Sequence, residues 1–522
     1  MMTAALHLHN AQIWTGYSGQ PRASSVTVVG GRVIALDAEA PAGAAVIDAA
    51  GRTVAPGLSD AHVHLLVGGQ SLTQLDLSGV RSRAQFEQAI AQRHGRLPSG
   101  RWLIANGWSQ ENWPGHAMPD KSWLAAAGER PVVCYRMDLH AAVVNDAVLA
   151  LCDLSRDPLG GRIERDQVTG EPTGLMLEAA AWNLVNPVVP SVNAEQRRDA
   201  LLAAQEHAHR YGLTTVGTME YARDVERVYL PLRDRLTLRC RVTLLDRAWP
   251  MDFDFGRDFP DDDRLAVIGY KAYLDGTLGS RTARMLEDYA DDPGNRGMLV
   301  ELAADGRLRD WALAVAASGL SPSMHAIGDE AIRLALDVVE AIDPDRRPRI
   351  EHAQQIAASD IARFGGSHRE SLRGRGRIAS MQPLHKADDG RYARDRVGDV
   401  RLAGTFAFRS LLDVGARLAF GSDWPVVSCD PMAGMQAAIT GRTLDGEVCL
   451  PEQNLTVEEA LRAYTADAGY CLGLDDVGVL RPGAAGDLVM FDRDPFAADW
   501  DRSPPRILLT VVAGNVVHHE TA

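Results

Sequence analysis

Eight apolar, strand-like runs alternate with helical patterns through the middle of this chain. They end near His64, Gly217, Leu245, Leu274, His325, His352, Gln382 and Asp423. Strands alternating with helices at this spacing imply a parallel sheet, and eight of them imply a closed (β/α)8 barrel of the TIM type. The helical runs carry end signals. After His325, Asp329 can cap a helix whose Ile332, Ala335, Leu336 and Val339 share one face. Thr456 and Glu459 form a capping-box pattern ahead of another.

The two ends read differently. Ser25–Val29 and Arg32–Leu36 flank Gly30-Gly31, a two-residue hairpin signal. Asp487–Phe491, Ile507–Val512 and Val516-Val517 are strand-like as well. Neither end has enough strands to close a core alone. The sequence therefore predicts a small β-sandwich built from both termini, residues 1–56 plus 476–522. The barrel would take residues 57–67 plus 191–475. The stretch between His64 and Leu213 is far longer than one crossover needs, so residues 68–190 read as an inserted α/β subdomain after the first strand. Its Trp-rich loop, Gly107 to Pro114, either forms a lid over the barrel mouth or fills the insert's own core.

Composition narrows the function classes. Lys and Arg number 54 against 69 Asp and Glu, a net charge of −15, which argues against a phosphate-backbone partner. No apolar run is long enough to span a bilayer, and Met1 to Asn10 do not resemble a signal peptide, so no membrane partner is expected. Six scattered cysteines without a C-x-x-C pair read as reduced thiols of a cytoplasmic protein. The partner expected is a small molecule, with a homo-oligomer left open.

His62 and His64 lie two apart in a strand, so their imidazoles share a side and make half of a metal claw. His7 and His9 have the same spacing but no other ligand pattern nearby, and read as a solvated face. His207 and His209, in a polar helical stretch, read as solvated too. What lifts His62 and His64 is recurrence. His325, His352 and Asp423 each end a different strand, and Lys271 sits in a strand of otherwise low charge. Singly, each has an ordinary structural explanation. Together they converge where barrel strands end, which is where barrel active sites lie.

At this point the sequence resembles the amidohydrolase superfamily, in its YtcJ-like branch, amidohydrolase family 3. The segments that carry the likeness are Pro56 to His64, Asp275 to Thr282, His325 to Asp329, Arg349 to Gln354, Ser380 to Pro383 and Gly421 to Pro425. The resemblance implies that His62, His64 and Asp423 bind one divalent metal, expected to be Zn²⁺, and that His325 and His352 bind a second. It implies that Lys271 is carbamylated and bridges the two, although a single-metal site with unmodified Lys271 stays open. It also implies hydrolysis of a non-peptide C–N bond, in an N-acyl amine, an N-substituted formamide or a cyclic amide, with Asp423 as the proton-accepting catalytic residue. A metal-dependent esterase and a non-catalytic binding protein are the alternatives.

Other polar residues are candidates for substrate contact: Trp108, His140, Asp275, Arg281, Gln382 and Trp424. His140 and Asn145 could instead brace the insert, and Asp275 and Arg281 could pair with each other. The Arg- and Gly-rich stretch 365–377 looks longer than the family's connection and reads as an exposed insertion.

Overall fold

A computed structural model describes residues 5–190, 192–365 and 376–520. Most of stretch 365–377 lies outside the described residues. The central element is an eight-stranded parallel sheet in unbroken sequence order. Its strands are β1 (Leu58–Val63), β2 (Leu213–Glu220), β3 (Arg239–Leu244) and β4 (Leu265–Tyr273). They continue as β5 (Ser321–Ala326), β6 (Arg349–His352), β7 (Ile378–Met381) and β8 (Arg417–Phe420). The ring closes just beyond the ends of β8 and β1. There Asp423 N donates to His62 O at 2.7 Å and His64 N donates to Trp424 O at 2.8 Å. Asp60 reinforces the seam by accepting from Ser422 N at 3.0 Å and from its hydroxyl at 2.5 Å. The fold is a TIM-like barrel with additional sheets.

Both termini build a six-stranded sheet. Gln12–Trp14, Arg22–Ala23 and Thr53–Pro56 join Leu488–Phe491, Ile507–Val512 and Asn515–His519 in it. A four-stranded sheet of N-terminal strands packs on it through Leu8, Ile13, Val28, Leu509 and Val511. The Gly30-Gly31 turn joins Val26–Val29 to Arg32–Leu36, both glycines at positive φ as such a tight turn requires. His7 departs from the solvated-face expectation. Its strand pairs on both edges, so His7 is buried and hydrogen-bonds Thr27 Oγ1 at 2.9 Å.

Between β1 and β2, six strands spanning Leu75 to Glu178 form a separate mixed sheet with its own apolar core. Trp108 is fully buried in that core beside Phe86, Trp113 and Trp123, and its Nε1 donates to Cys134 O at 2.7 Å. The lid and substrate-contact reading of Trp108 is thereby corrected: a strand-borne indole in a small sheet fills the sheet's interior. Asn145 is a brace, its side chain accepting from Val132 N at 3.1 Å and donating to Arg130 O at 2.8 Å.

Two helix ends show how local chemistry sets boundaries. Thr456 and Glu459 form the complete capping box before Val457–Ala463. Helix Asp329–Val339 buries Ile332, Ala335, Leu336 and Val339, but its N-cap is Gly328. Asp329 instead accepts from Leu286 N at 2.7 Å. His209 is also corrected. It is buried, hydrogen-bonding Leu213 O at 2.9 Å and Thr237 Oγ1 at 2.7 Å. His207 stacks on Trp424.

Candidate metal centre

The C-terminal ends of β1, β4, β5, β6 and β8 converge. His62 ends β1, and Asp423 follows β8 across the closing seam. One ligand atom each from His62, His352 and Asp423 lie within 4.8 Å of one another, and all three residues are buried. Asp423 Oδ1 lies 3.3 Å from Nε2 of both His62 and His64. The His62 and His352 rings are 5.0 Å apart, and those of His352 and His325 4.5 Å. Lys271 is buried in β4, its Nζ 2.9 Å from His62 Nε2. All six residues singled out as ligands in the sequence therefore surround one space. The backbone holds His352 and Asp423 at φ 69° and 61°, left-handed values that cost non-glycine residues about 1 kcal/mol or more each.

Charge is arranged to suit a cation. Burial lowers His62 to about 4 and takes His325 and His352 well below the usual imidazole range, so all three keep free lone pairs at neutral pH. Burial alone would raise Asp423, but the surrounding His62, His64 and His352 hold it well below the usual carboxylate range. Burial lowers Lys271 to about 8 against the pull of Asp423 and Glu351. His325 Nδ1 is buried without a hydrogen-bond partner.

The supporting groups were largely hidden in the sequence. Glu351, next to His352 in β6, accepts from His62 Nδ1 at 2.7 Å, which turns His62 Nε2 toward the centre. Glu351 also accepts from Ser323 Oγ at 2.5 Å and ion-pairs with Arg349 at 2.9 Å. A second buried carboxylate–imidazole pair stands opposite. Glu178 accepts from His140 Nδ1 at 2.6 Å, and the His140 ring lies 5.1 Å from that of His325. The insert thus places His140 at the centre's edge. A two-residue spacing such as His62/His64 is visible along a strand, whereas Glu351 and His62 are 289 residues apart.

The softer candidates separate. Gln382 Oε1 accepts from His352 Nδ1 at 2.8 Å, so it orients a ligand. Asp275 is fully buried and accepts from Ile327, Gly328 and Arg284 N–H groups at 2.8–3.0 Å, with His325 Nε2 at 3.5 Å. Arg281 pairs with Asp291 and not with Asp275. The Trp424 ring packs against Gly68 and His207, behind the strand ends rather than toward the cleft.

A cleft opens over the centre. One part, about 440 Å³, is lined by Arg136, Asp138, Gln354, His385 and Asp389 among others. An adjoining part, about 340 Å³, is lined by His64, Leu139, Trp182, Lys271 and Tyr273 among others. His140, His325, His352 and Asp423 face both.

The comparisons with known proteins agree with this geometry. The chain is 33% identical to Protein LONG AFTER FAR-RED 3 of Arabidopsis thaliana, covering 99% of this chain and 92% of that protein. It is 28% identical to an N-substituted formamide deformylase of Arthrobacter pascens, covering 99% and 98% respectively. A crystal structure of an uncharacterized metal-dependent hydrolase from Pyrococcus horikoshii superposes with a TM-score of 0.74 at 27% identity, covering 96% of this chain and 99% of that one. The model of the Amidohydrolase family matches residues 45–518. Buried histidines and an aspartate at the barrel's strand ends and a match over nearly the whole chain lead to one conclusion: the protein belongs to the amidohydrolase family of carbon–nitrogen bond hydrolases.

Proposed function

We propose that the chain hydrolyses a non-peptide C–N bond of a small N-substituted amide, using a divalent metal held among His62, His64, Lys271, His325, His352 and Asp423. The observation that carries this reading is the buried His62–His352–Asp423 cluster, with ligand atoms within 4.8 Å at the barrel mouth. The donor set fits. Neutral imidazoles and an ionised carboxylate suit Zn²⁺ and its neighbours, and the orphaned His325 Nδ1 leaves a lone pair or proton for an incoming group. A cation bound there would polarise an amide carbonyl and lower the pKa of a water toward ~7.

The chain's own residues supply the rest. Glu351 and Gln382 fix the rings of His62 and His352, each accepting a hydrogen bond from Nδ1. Asp423, held ionised, accepts a proton from the attacking water and returns it to the leaving nitrogen. The hydroxyl part of that water ends on the acyl carbon, so the products are an acid and an amine. Carbamylation of Lys271 belongs to the same proposal. Its buried amine, at about 8, has a neutral fraction able to capture CO₂ and so offer oxygen ligands. The formamide deformylase relative supports the amide class. The six unpaired cysteines support a cytoplasmic setting. Among the described residues no helix is long and apolar enough to cross a membrane.

Chelator dialysis tests the reading. Metal-free protein should lose hydrolysis of an amide and formamide panel by at least ~10²-fold, and Zn²⁺, Mn²⁺ or Co²⁺ should restore it. Full turnover by protein shown to be metal-free by elemental analysis would overturn it.

A further inference from the structure

The two parts of the cleft differ in chemistry, and the ligand cluster sits where they meet. On one side Trp182 and Tyr273 have ring centroids 5.3 Å apart, with Leu139 and Val426 beside them. Trp182 stands on a π-helical turn, Ala181–Val185, of a kind frequent at functional sites, and its Nε1 is tied to Leu139 O at 3.1 Å. With its polar tip satisfied, the indole offers an apolar face to whatever enters.

The other side is polar. Arg136 is 2% exposed, with Nε held by Gln110 Oε1 at 2.9 Å and Nη1 by Asp138. Its Nη2 is buried with no hydrogen-bond partner and lies against Gly279, where any Cβ would clash with it. A buried guanidinium N–H without an acceptor is costly, so the cleft's occupant is the natural source of one. That acceptor is not an anion. Arg136 is already matched by Asp138, and Asp388 by Arg391, while Asp389 makes no ion pair within 4 Å among the described residues and feels Arg136 and His385 only at longer range. Among the described residues the Asp389 side chain accepts from Gln354 Nε2 and Tyr392 Oη. Burial and Asp388 push Asp389 up to about 6, so at neutral pH it is largely ionised and this side carries three carboxylates against two guanidiniums.

We propose that the cleft selects a two-ended amide, with an aryl or bulky apolar group against Trp182 and Tyr273 and an uncharged group between Arg136 and Asp389 that accepts from the guanidinium and donates to the carboxylate. A carboxylate at the second end is rejected. The proposal rests on the hydrolase reading above and adds the substrate's two ends. Selection arises from both attraction and repulsion: an apolar wall for one end, and Asp389 against an anion at the other.

The test uses six linear ketones, isosteres of the amide in either sense, with binding to the purified metal-bearing protein measured by calorimetry. One end is phenyl or methyl; the other is a hydroxyl, an ammonium or a carboxylate. The phenyl ketone with a hydroxyl end should bind at least about tenfold tighter than the phenyl carboxylate, the phenyl ammonium and its own methyl counterpart. Trp182→Ala should erase the phenyl preference and Trp182→Leu should keep part of it, both with unchanged far-ultraviolet circular dichroism and a cooperative melt. Asp389→Asn should narrow the gap between hydroxyl and carboxylate. The proposal is overturned if the carboxylate or the ammonium binds as well as the hydroxyl, if folded Trp182→Ala keeps the phenyl preference, or if no ketone binds. Turnover of the matching amides is a separate readout. Selective ketone binding without amide hydrolysis would remove the reaction and leave the cleft assignment standing.

Discussion

Glu351 is completely buried, yet it stays ionised. Burial pushes its pKa up, but Arg349 and His62 pull it further down, below the usual carboxylate range. Its task is to hold the His62 ring. Glu351→Gln keeps the shape but offers a weaker acceptor, and its amide can present a donor to Nδ1. Metal affinity should fall about 10- to 100-fold, measured by competition with a coloured chelator, and the metal-free protein should also lose stability because buried Arg349 is left without its carboxylate. Unchanged affinity would mean that His62 is oriented by the barrel backbone alone. The strand-end histidines were legible because spacing and recurrence are properties of the chain itself. Glu351 and Glu178 were not, because their meaning lies in partners that only folding brings near. His7 and His209 misled for a related reason. Each is buried by a neighbouring strand or turn that a local polarity pattern does not report.

Among the elements, the insert gave the clearest divergence from its sequence. A Trp-rich loop over a barrel mouth suggested contact with substrate, but Trp108 sits inside the insert's sheet and Trp182, later in the chain, faces the cleft. Trp108 ends a six-residue strand whose inward positions Leu103 and Ala105 alternate, and a register irregularity between Ala105 and Trp108 brings the indole to the same core, a shift that spacing along the chain does not report. Trp108→Ala should therefore cost about 3–5 kcal/mol in chemical denaturation of the insert, with relative rates across an amide panel unchanged. A shift in substrate preference with stability intact would restore the contact reading. The eight strands and the Thr456 capping box were readable from periodicity and residue type. The Asp329 boundary was missed by one position because Leu286, from a distant loop, claims that carboxylate.

At the scale of the whole molecule, stability should depend on pH through Glu220, at the end of β2. Burial raises it from 4.5 to about 7, although Tyr229, Thr218 and the Leu66 N–H donate to it. The folded protein keeps that proton after an unfolded chain has lost it. The favourable contribution is complete below about pH 4.5 and is lost as pH rises through about 7. Glu220→Gln removes the dependence. The variant should gain on the parent between pH 5 and 8, by roughly 2–3 kcal/mol at the upper end, read from paired urea melts. A stability difference that is the same at both pH values would show that Glu220 ionises freely in the fold.

The seam that closes the barrel joins residues near 62 to residues near 423, with the whole insert and six further strands between them. During synthesis, His62 and His64 emerge early, but their carboxylate partner comes only with the eighth strand. A growing chain thus presents isolated imidazoles and no complete cluster until about four-fifths of it has been made. At the proposed centre metal loading would be a late event, coupled to closure of the ring, and a chain stopped short of that seam would have the histidines of the early strands without the enclosure that brings them to Asp423.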